Sequence, residues 1–187
     1  MDIFPGENGD YPIPKKVRVS VHLSRVDYKT PVQAIEAMTF SFGSFISLTG
    51  DEVFHSTRLS FAFVNLKPVV PGHVLVCPRR VVKRYAELSF KEITDLFKTV
   101  QEVGIVIERE FKATSLTFCI QDGPDSGQTV DHVHVHIIPR KKGDYENSDE
   151  VYTELAKHDK DGRPSRSLEE MAKEASWLST FFRLEGR

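Results

Sequence analysis

Cysteine is scarce in this chain: Cys77 and Cys119 are the only two among 187 residues. Each sits in an apolar run, HVLVC and LTFCI, which reads as a buried free thiol in a reducing compartment, not half of a disulfide framework. No stretch approaches the ~20 consecutive apolar residues that span a bilayer, so a soluble protein with no membrane partner is expected. Excess charge of either sign is missing too, with a formal net charge of −2 and a pI near 6.4. That balance gives no reason to expect nucleic acid as a partner, although a local cationic pocket for a phosphate is compatible with it. The charged-then-apolar pattern of a signal peptide is lacking, and Asp2, Glu7 and Asp10 argue against an acid-poor transit peptide. The expected compartment is the cytoplasm; the cluster Lys15, Lys16 and Arg18 leaves the nucleus or an organelle open.

What is present fits one domain with some decoration: 40% of the residues are hydrophobic, enough for one sizeable core. Residues 1–37 carry Pro5, Pro12, Pro14 and Pro31 and read as a flexible extension. Alternating Val17, Val19, Val21 and Leu23 offer a short edge strand as the other reading. The main domain is expected over 38–160, and a mobile loop with a C-terminal helix over 161–187.

Strands dominate the first half. TFSFGSFISL, EVFHS and RLSFAFVN place aromatic and β-branched residues at period two, with Phe40, Phe42 and Phe45 on the first strand and Leu59, Phe61 and Phe63 sharing a face of the third. Pro68 and Pro71-Gly72 mark a turn before HVLVC resumes, an antiparallel meander. A long helix follows. Ser89 and Glu92 form a capping box, and Ile93, Leu96, Phe97, Val100, Val103, Ile107 and Phe111 recur every three or four residues as one apolar stripe. Leu116, Phe118 and Ile120 alternate in another strand. The loop DGPDSGQ then leads into a strand DHVHVHII, followed by a short helix near Val151–Lys157 and a charged loop, HDKDGRPSRS, expected to be mobile. Ser167 and Glu170 cap a last helix with a stripe of Leu168, Met171, Ala175, Leu178 and Phe182.

Three of the seven histidines occur in His132-Val133-His134-Val135-His136. Strand alternation puts the three imidazoles on one face and the two valines, with Ile137, on the core side. Burying three titratable rings together is costly unless each has a partner, so the row is either a site mouth or a hydrogen-bonded cluster. Three chemistries compete for it. His-x-His on a strand can supply two zinc ligands, but the outer pair stands roughly 13.6 Å apart at ~3.4 Å per residue, and no other Cys/His cluster completes a set. A solvated face on which histidine merely recurs is the blandest reading. The third is nucleophilic catalysis: a neutral ring nitrogen attacks phosphorus and splits one displacement into two. That needs the other nitrogen held by an acceptor, and the central ring, with a neighbour on either side, is best placed.

The run H-V-H-V-H-I-I at 132–138 resembles the signature of the histidine triad (HIT) superfamily. Together with LSFAFVNLKPVVPGHVLVCP at 59–78, TSLTFCIQDGPDSGQTVDHVHVHIIPRKKGD at 114–144 and VYTELAKHDK at 151–160, it is similar to the fragile-histidine-triad branch, the bis(5′-adenosyl)-triphosphatases. The resemblance implies an α+β fold, a five-stranded antiparallel sheet with a long helix across it, pairing in a homodimer into one ten-stranded sheet. It implies cleavage of diadenosine triphosphate to AMP and ADP through an adenylyl-histidine, with action also on adenylyl sulfate and adenosine phosphoramidates. A phosphorylase or nucleotidyltransferase, and a nucleotide-binding signalling module, are the alternatives. By position, His134 matches the nucleophile, His136 the contact to the scissile phosphate, His132 the supporting member, and His73 a partner of the triad. Asn65 matches a ribose contact, Gln121 a contact to the bridging oxygen, and Gly127-Gln128-Thr129-Val130 the phosphate-binding loop. Tyr152 matches a tyrosine phosphorylated in some relatives. No organic cofactor and no resident metal are implied; Mg²⁺ or Mn²⁺ would accompany the polyphosphate.

Overall fold

The computed structural model describes residues 38–157 and 164–182. The extension expected at 1–37, with its alternative edge strand, and most of the loop expected to be mobile lie outside these residues.

The aromatic run at 39–48, expected as one strand, is a hairpin of β1 (Thr39–Phe42) and β2 (Ile46–Thr49). Gly43 turns the chain: its φ is +68°, and a Cβ there would stand 2.8 Å from Val130 Cγ1, so only glycine fits. The turn also breaks the parity on which the aromatic alternation rested. Phe40 and Phe42 are buried, whereas Phe45 lies fully exposed at the tip.

The main sheet has five strands, β3 (Val53–Ser56), β4 (Ser60–Val64), β5 (Val74–Pro78), β6 (Ser115–Cys119) and β7 (Val135–Arg140), in the order β3-β4-β5-β7-β6. Every pairing is antiparallel. The meander β3-β4-β5 follows the chain; α1 (Phe90–Glu110) then carries it to the far edge, and β7 slots between β5 and β6. Both faces of the sheet's centre are covered by other elements. Ala62, Val64, Val74, Val76, Val135 and Ile137 pack beneath Leu96, Val100, Val103 and Ile107 of α1. Phe61, Phe63, Leu75 and Cys77 face the other way and are covered by Phe40, Phe42 and Leu48 of the hairpin. The aromatic pairs Phe40–Phe61 and Phe42–Phe63 stand 4.9 and 5.0 Å apart between ring centroids, within the range of favourable aromatic contacts.

The capping box at Ser89 and Glu92 is formed, and the helix runs 21 residues. Its stripe is narrower than expected on one side: Phe97 is 42% exposed, and Val106 is buried in addition to the forecast set. The helix α2 spans Glu150–Lys157 and α3 Leu168–Ser179, the latter with its own capping box at Ser167 and Glu170. Met171, Ala175 and Leu178 are buried, but Leu168, expected in the same stripe, is 71% exposed. At the first turn it precedes the point where α3 meets the sheet. No helix among the described residues is long and apolar enough to cross a membrane.

Candidate active site

β7 begins at Val135, so His132 and His134 precede the strand expected to hold them, and His132 lies in a bend. Val133, Val135 and Ile137 face the core as anticipated. The three imidazoles are not an exposed row: His132 and His136 are 0% and His134 5% exposed. Burial is tolerable because each ring has hydrogen-bonding partners.

Those partners assign the tautomers. Gly43 N–H donates to His132 Nδ1 at 3.1 Å, so Nε2 carries the proton and donates to the Pro78 carbonyl at 2.9 Å. Both nitrogens of His132 are thereby committed, and the ring is a strut between the hairpin and β5. Burial lowers its pKa from 6.5 to about 4, opposed by the Pro78 carbonyl and assisted by neighbouring His134. It is neutral at pH 7. The His132 carbonyl stands 2.7 Å from His134 Nδ1. A carbonyl can only accept, so Nδ1 holds the proton and the neutral ring of His134 keeps its lone pair at Nε2.

His136 is set from the other side. Val69 N–H donates to His73 Nδ1 at 3.2 Å, so His73 Nε2–H donates to His136 Nδ1 at 2.9 Å. Neutral His136 then bears its proton on Nε2. His134 and His136 lie side by side, with ring centroids 4.8 Å apart. They present opposite hydrogen-bonding characters, a lone pair on one and an N–H on the other.

Both rings line a cavity of about 290 Å³, walled by Phe42, Leu48, Phe63, Leu75 and Val130 and bearing Glu52, Asn65 and Thr129. Asn65 is buried; its amide oxygen accepts from Lys67 N–H at 2.9 Å, and its amide nitrogen stands 3.3 and 3.5 Å from the His73 ring nitrogens. The loop before the triad borders this space. Gly127 adopts a φ of +89°, and a Cβ there would sit 2.6 Å from Gln121 Nε2. Gln128 braces the loop from within: it accepts from Gly123 N–H at 2.7 Å and donates to the Lys83 carbonyl at 3.1 Å. Asp122 accepts from Tyr85 N–H at 2.8 Å and pairs with Arg84. Of the expected substrate-binding positions, Asn65, Thr129, Val130 and His136 therefore line the cavity. Gln121, Gly127 and Gln128 form the loop beside it.

Three contributors were missed. Phe42 meets His134 edge-on, 5.2 Å between centroids; its aromatic alternation was seen, but not which site the hairpin would cover. Glu52 is a buried carboxylate of the cavity wall and looked like an ordinary strand opening. Arg166 donates to the Asn65 carbonyl through Nε and Nη2, at 3.0 and 2.6 Å, and pairs with Glu174. It sat in a segment read only as loop, 101 positions from Asn65. No local pattern announces such a contact.

Comparison with known proteins gives consistent results. The HIT domain family matches residues 49–143. A bis(5′-adenosyl)-triphosphatase of Dictyostelium discoideum is 51% identical over 144 residues, covering 77% of this chain and 93% of that protein. A bifunctional bis(5′-adenosyl)-triphosphatase/adenylylsulfatase of Arabidopsis thaliana is 47% identical, covering 77% and 84%. Among solved structures, the diadenosine triphosphate hydrolase of Plasmodium falciparum, in complex with cyclomarin A, superposes with a TM-score of 0.66 at 32% identity, covering 80% and 87%.

Proposed function

Since this chain belongs to the HIT domain family, we propose that it hydrolyses diadenosine triphosphate to AMP and ADP through an adenylyl-histidine on His134. The observation that carries the mechanism is the hydrogen bond from His134 Nδ1–H to the His132 carbonyl. It leaves the Nε2 lone pair as the nucleophile. Nε2 attacks the α-phosphorus, the N–P bond forms, and the bond from phosphorus to the bridging oxygen breaks with its electron pair leaving on ADP. The ring becomes an imidazolium as it is adenylylated, and the carbonyl facing Nδ1–H stabilises that charge. His136 Nε2–H is suited to donate to a phosphate oxygen, with His73 holding its tautomer. Water then attacks the same phosphorus, the N–P electrons return to Nε2, AMP leaves and the water's proton goes to solvent.

Gly127, Gln128, Thr129 and Val130 form the loop proposed to face the phosphates, Gln121 the contact to the bridging oxygen, and Asn65 the contact to ribose. Mg²⁺ or Mn²⁺ would travel on the polyphosphate. His132 has both ring nitrogens engaged in hydrogen bonds and is not available as a ligand, which favours a substrate-borne ion. Adenylyl sulfate is a second substrate on this reading, given the relative named as an adenylylsulfatase. A second copy of this chain is the proposed partner. β6 is an edge strand bearing half-exposed Phe118, and Ile105 of α1 is 58% exposed, an apolar edge suited to pairing.

Rapid-quench mass spectrometry tests the mechanism. One AMP is expected on His134 of the wild-type enzyme and none on His134→Asn, which should bind substrate without turning it over. Turnover with no adduct at any time point, or wild-type rates from the variant, would refute it. Adding inorganic phosphate to adenylyl sulfate reactions separates the acceptors, since ADP in place of AMP marks phosphorolysis.

A further inference from the structure

The cavity wall is apolar on most sides, and Glu52 is out of keeping with it. The residue is part of the cavity lining although it is only 7% exposed. Such a carboxylate is costly to bury unless donors meet it, and Thr49 supplies two: its N–H at 2.9 Å and its hydroxyl at 3.3 Å, both to Oε2. Thr49 therefore orients the carboxylate from one side. Oε1, which Thr49 does not engage, remains an acceptor.

The sheet register locates that acceptor. His136 of β7 faces Leu75 of β5, Leu75 faces Phe63 of β4, and Phe63 faces Val53 of β3, the neighbour of Glu52. Three strand spacings of ~4.8 Å put Glu52 about 14 Å from His136 across the sheet. With phosphate at the histidines and sugar near Asn65, that distance belongs to the base. Phe42 and Phe63 flank the same space and offer aromatic surface to a purine.

We propose that Glu52 is a specificity-determining residue that accepts a hydrogen bond from an amino group on the edge of the bound base, the exocyclic amine in adenine. This rests on the nucleotide-binding reading above but not on hydrolysis. A fixed anionic acceptor in an apolar wall favours a base with a donor there and repels one that offers only acceptors.

Equilibrium binding of mononucleotides tests it without requiring turnover. The wild-type protein should prefer AMP over purine riboside 5′-monophosphate, which lacks the amine, by roughly 10- to 100-fold, the range for one charge-assisted hydrogen bond. In Glu52→Gln the amide oxygen must turn to the Thr49 N–H, so an NH₂ group faces the base and the polarity is reversed. The preference should collapse or invert, and Glu52→Ala should abolish it without inversion. Circular dichroism and thermal melting establish that each variant is folded. An unchanged preference in folded Glu52→Gln, or a loss seen only with 2′- or 3′-deoxy AMP, would overturn the assignment, the latter because the contact would be to sugar. A protein that shows the AMP preference yet never cleaves diadenosine triphosphate would refute the hydrolase and leave Glu52 standing.

Discussion

Acid should loosen this protein through His132 before it touches any carboxylate. The ring is fully buried, and its pKa falls from 6.5 to about 4 on folding. A histidine depressed in this way binds its proton more readily when unfolded, so stability is complete above pH 6.5 and is lost as pH falls toward 4. At 1.36 kcal/mol per unit the loss amounts to about 3 kcal/mol, a sizeable part of the 5–15 kcal/mol typical of a domain. Between these limits the unfolding free energy should change by about 1.2 kcal/mol per pH unit, close to one proton. Glu92 acts lower. Its hydrogen bond with Arg80 holds the carboxyl at about 2, against 4.5, so its contribution is present above pH 4.5 and is lost only below. Urea titrations at fixed protein concentration between pH 7 and 4.5 stay above the Glu92 transition, and comparison with a variant of His132 separates this ring from the other histidines. His132→Gln keeps a donor and an acceptor for Pro78 and Gly43 but cannot titrate. It should cost about 1–2 kcal/mol at pH 7 and flatten the pH slope by nearly one proton. A variant with the wild-type slope would show that His132 is not the group that unfolds the protein in mild acid.

Other consequences can be checked directly. His73→Ala frees His136 to place its proton on Nδ1, and kcat should fall ~10- to 100-fold with a much smaller change in nucleotide affinity; equal losses in both would point to a collapsed pocket instead. Gly127→Ala and Gly143→Ala both force a Cβ onto positive φ, +89° and +80°, but only the first meets a neighbour, Gln121 Nε2. Each should lose about 1–2 kcal/mol of stability, and only Gly127→Ala should lower kcat/KM, so equal kinetic effects would exclude a role for the Gln121–Gly127 contact. Phe118→Glu places a charge on the edge strand and should convert the proposed dimer to monomer in analytical ultracentrifugation. A variant that still sediments as a dimer would move the interface elsewhere.

Both capping boxes and the core side of the triad segment were legible because each rests on neighbours within a few residues, whereas the five-stranded sheet, whose β5–β7 pairing joins residues about 60 positions apart, was expected only from the family resemblance. Ser89 needs Glu92 and Ser167 needs Glu170, and Val133, Val135 and Ile137 need only the alternation between them. Errors came where a distant surface decided. Phe97 and Leu168 have the correct helical spacing but lie outside the area their helices bury. Phe45 has strand parity but falls beyond a turn that Gly43 makes beside Val130.

The same division runs through the site. Sequence alone determined that three imidazoles would stand near a glycine-rich loop, since residue order and chain geometry suffice for that. Which ring carries a lone pair and which a proton was settled only by folding. For His132 and His136 the deciding partners Gly43, Pro78 and His73 lie 89, 54 and 63 positions from the rings they contact. For His134 it is the carbonyl two residues earlier, brought to Nδ1 by a local backbone conformation that the folded chain sets. A tautomer depends on whichever donor or acceptor reaches each nitrogen.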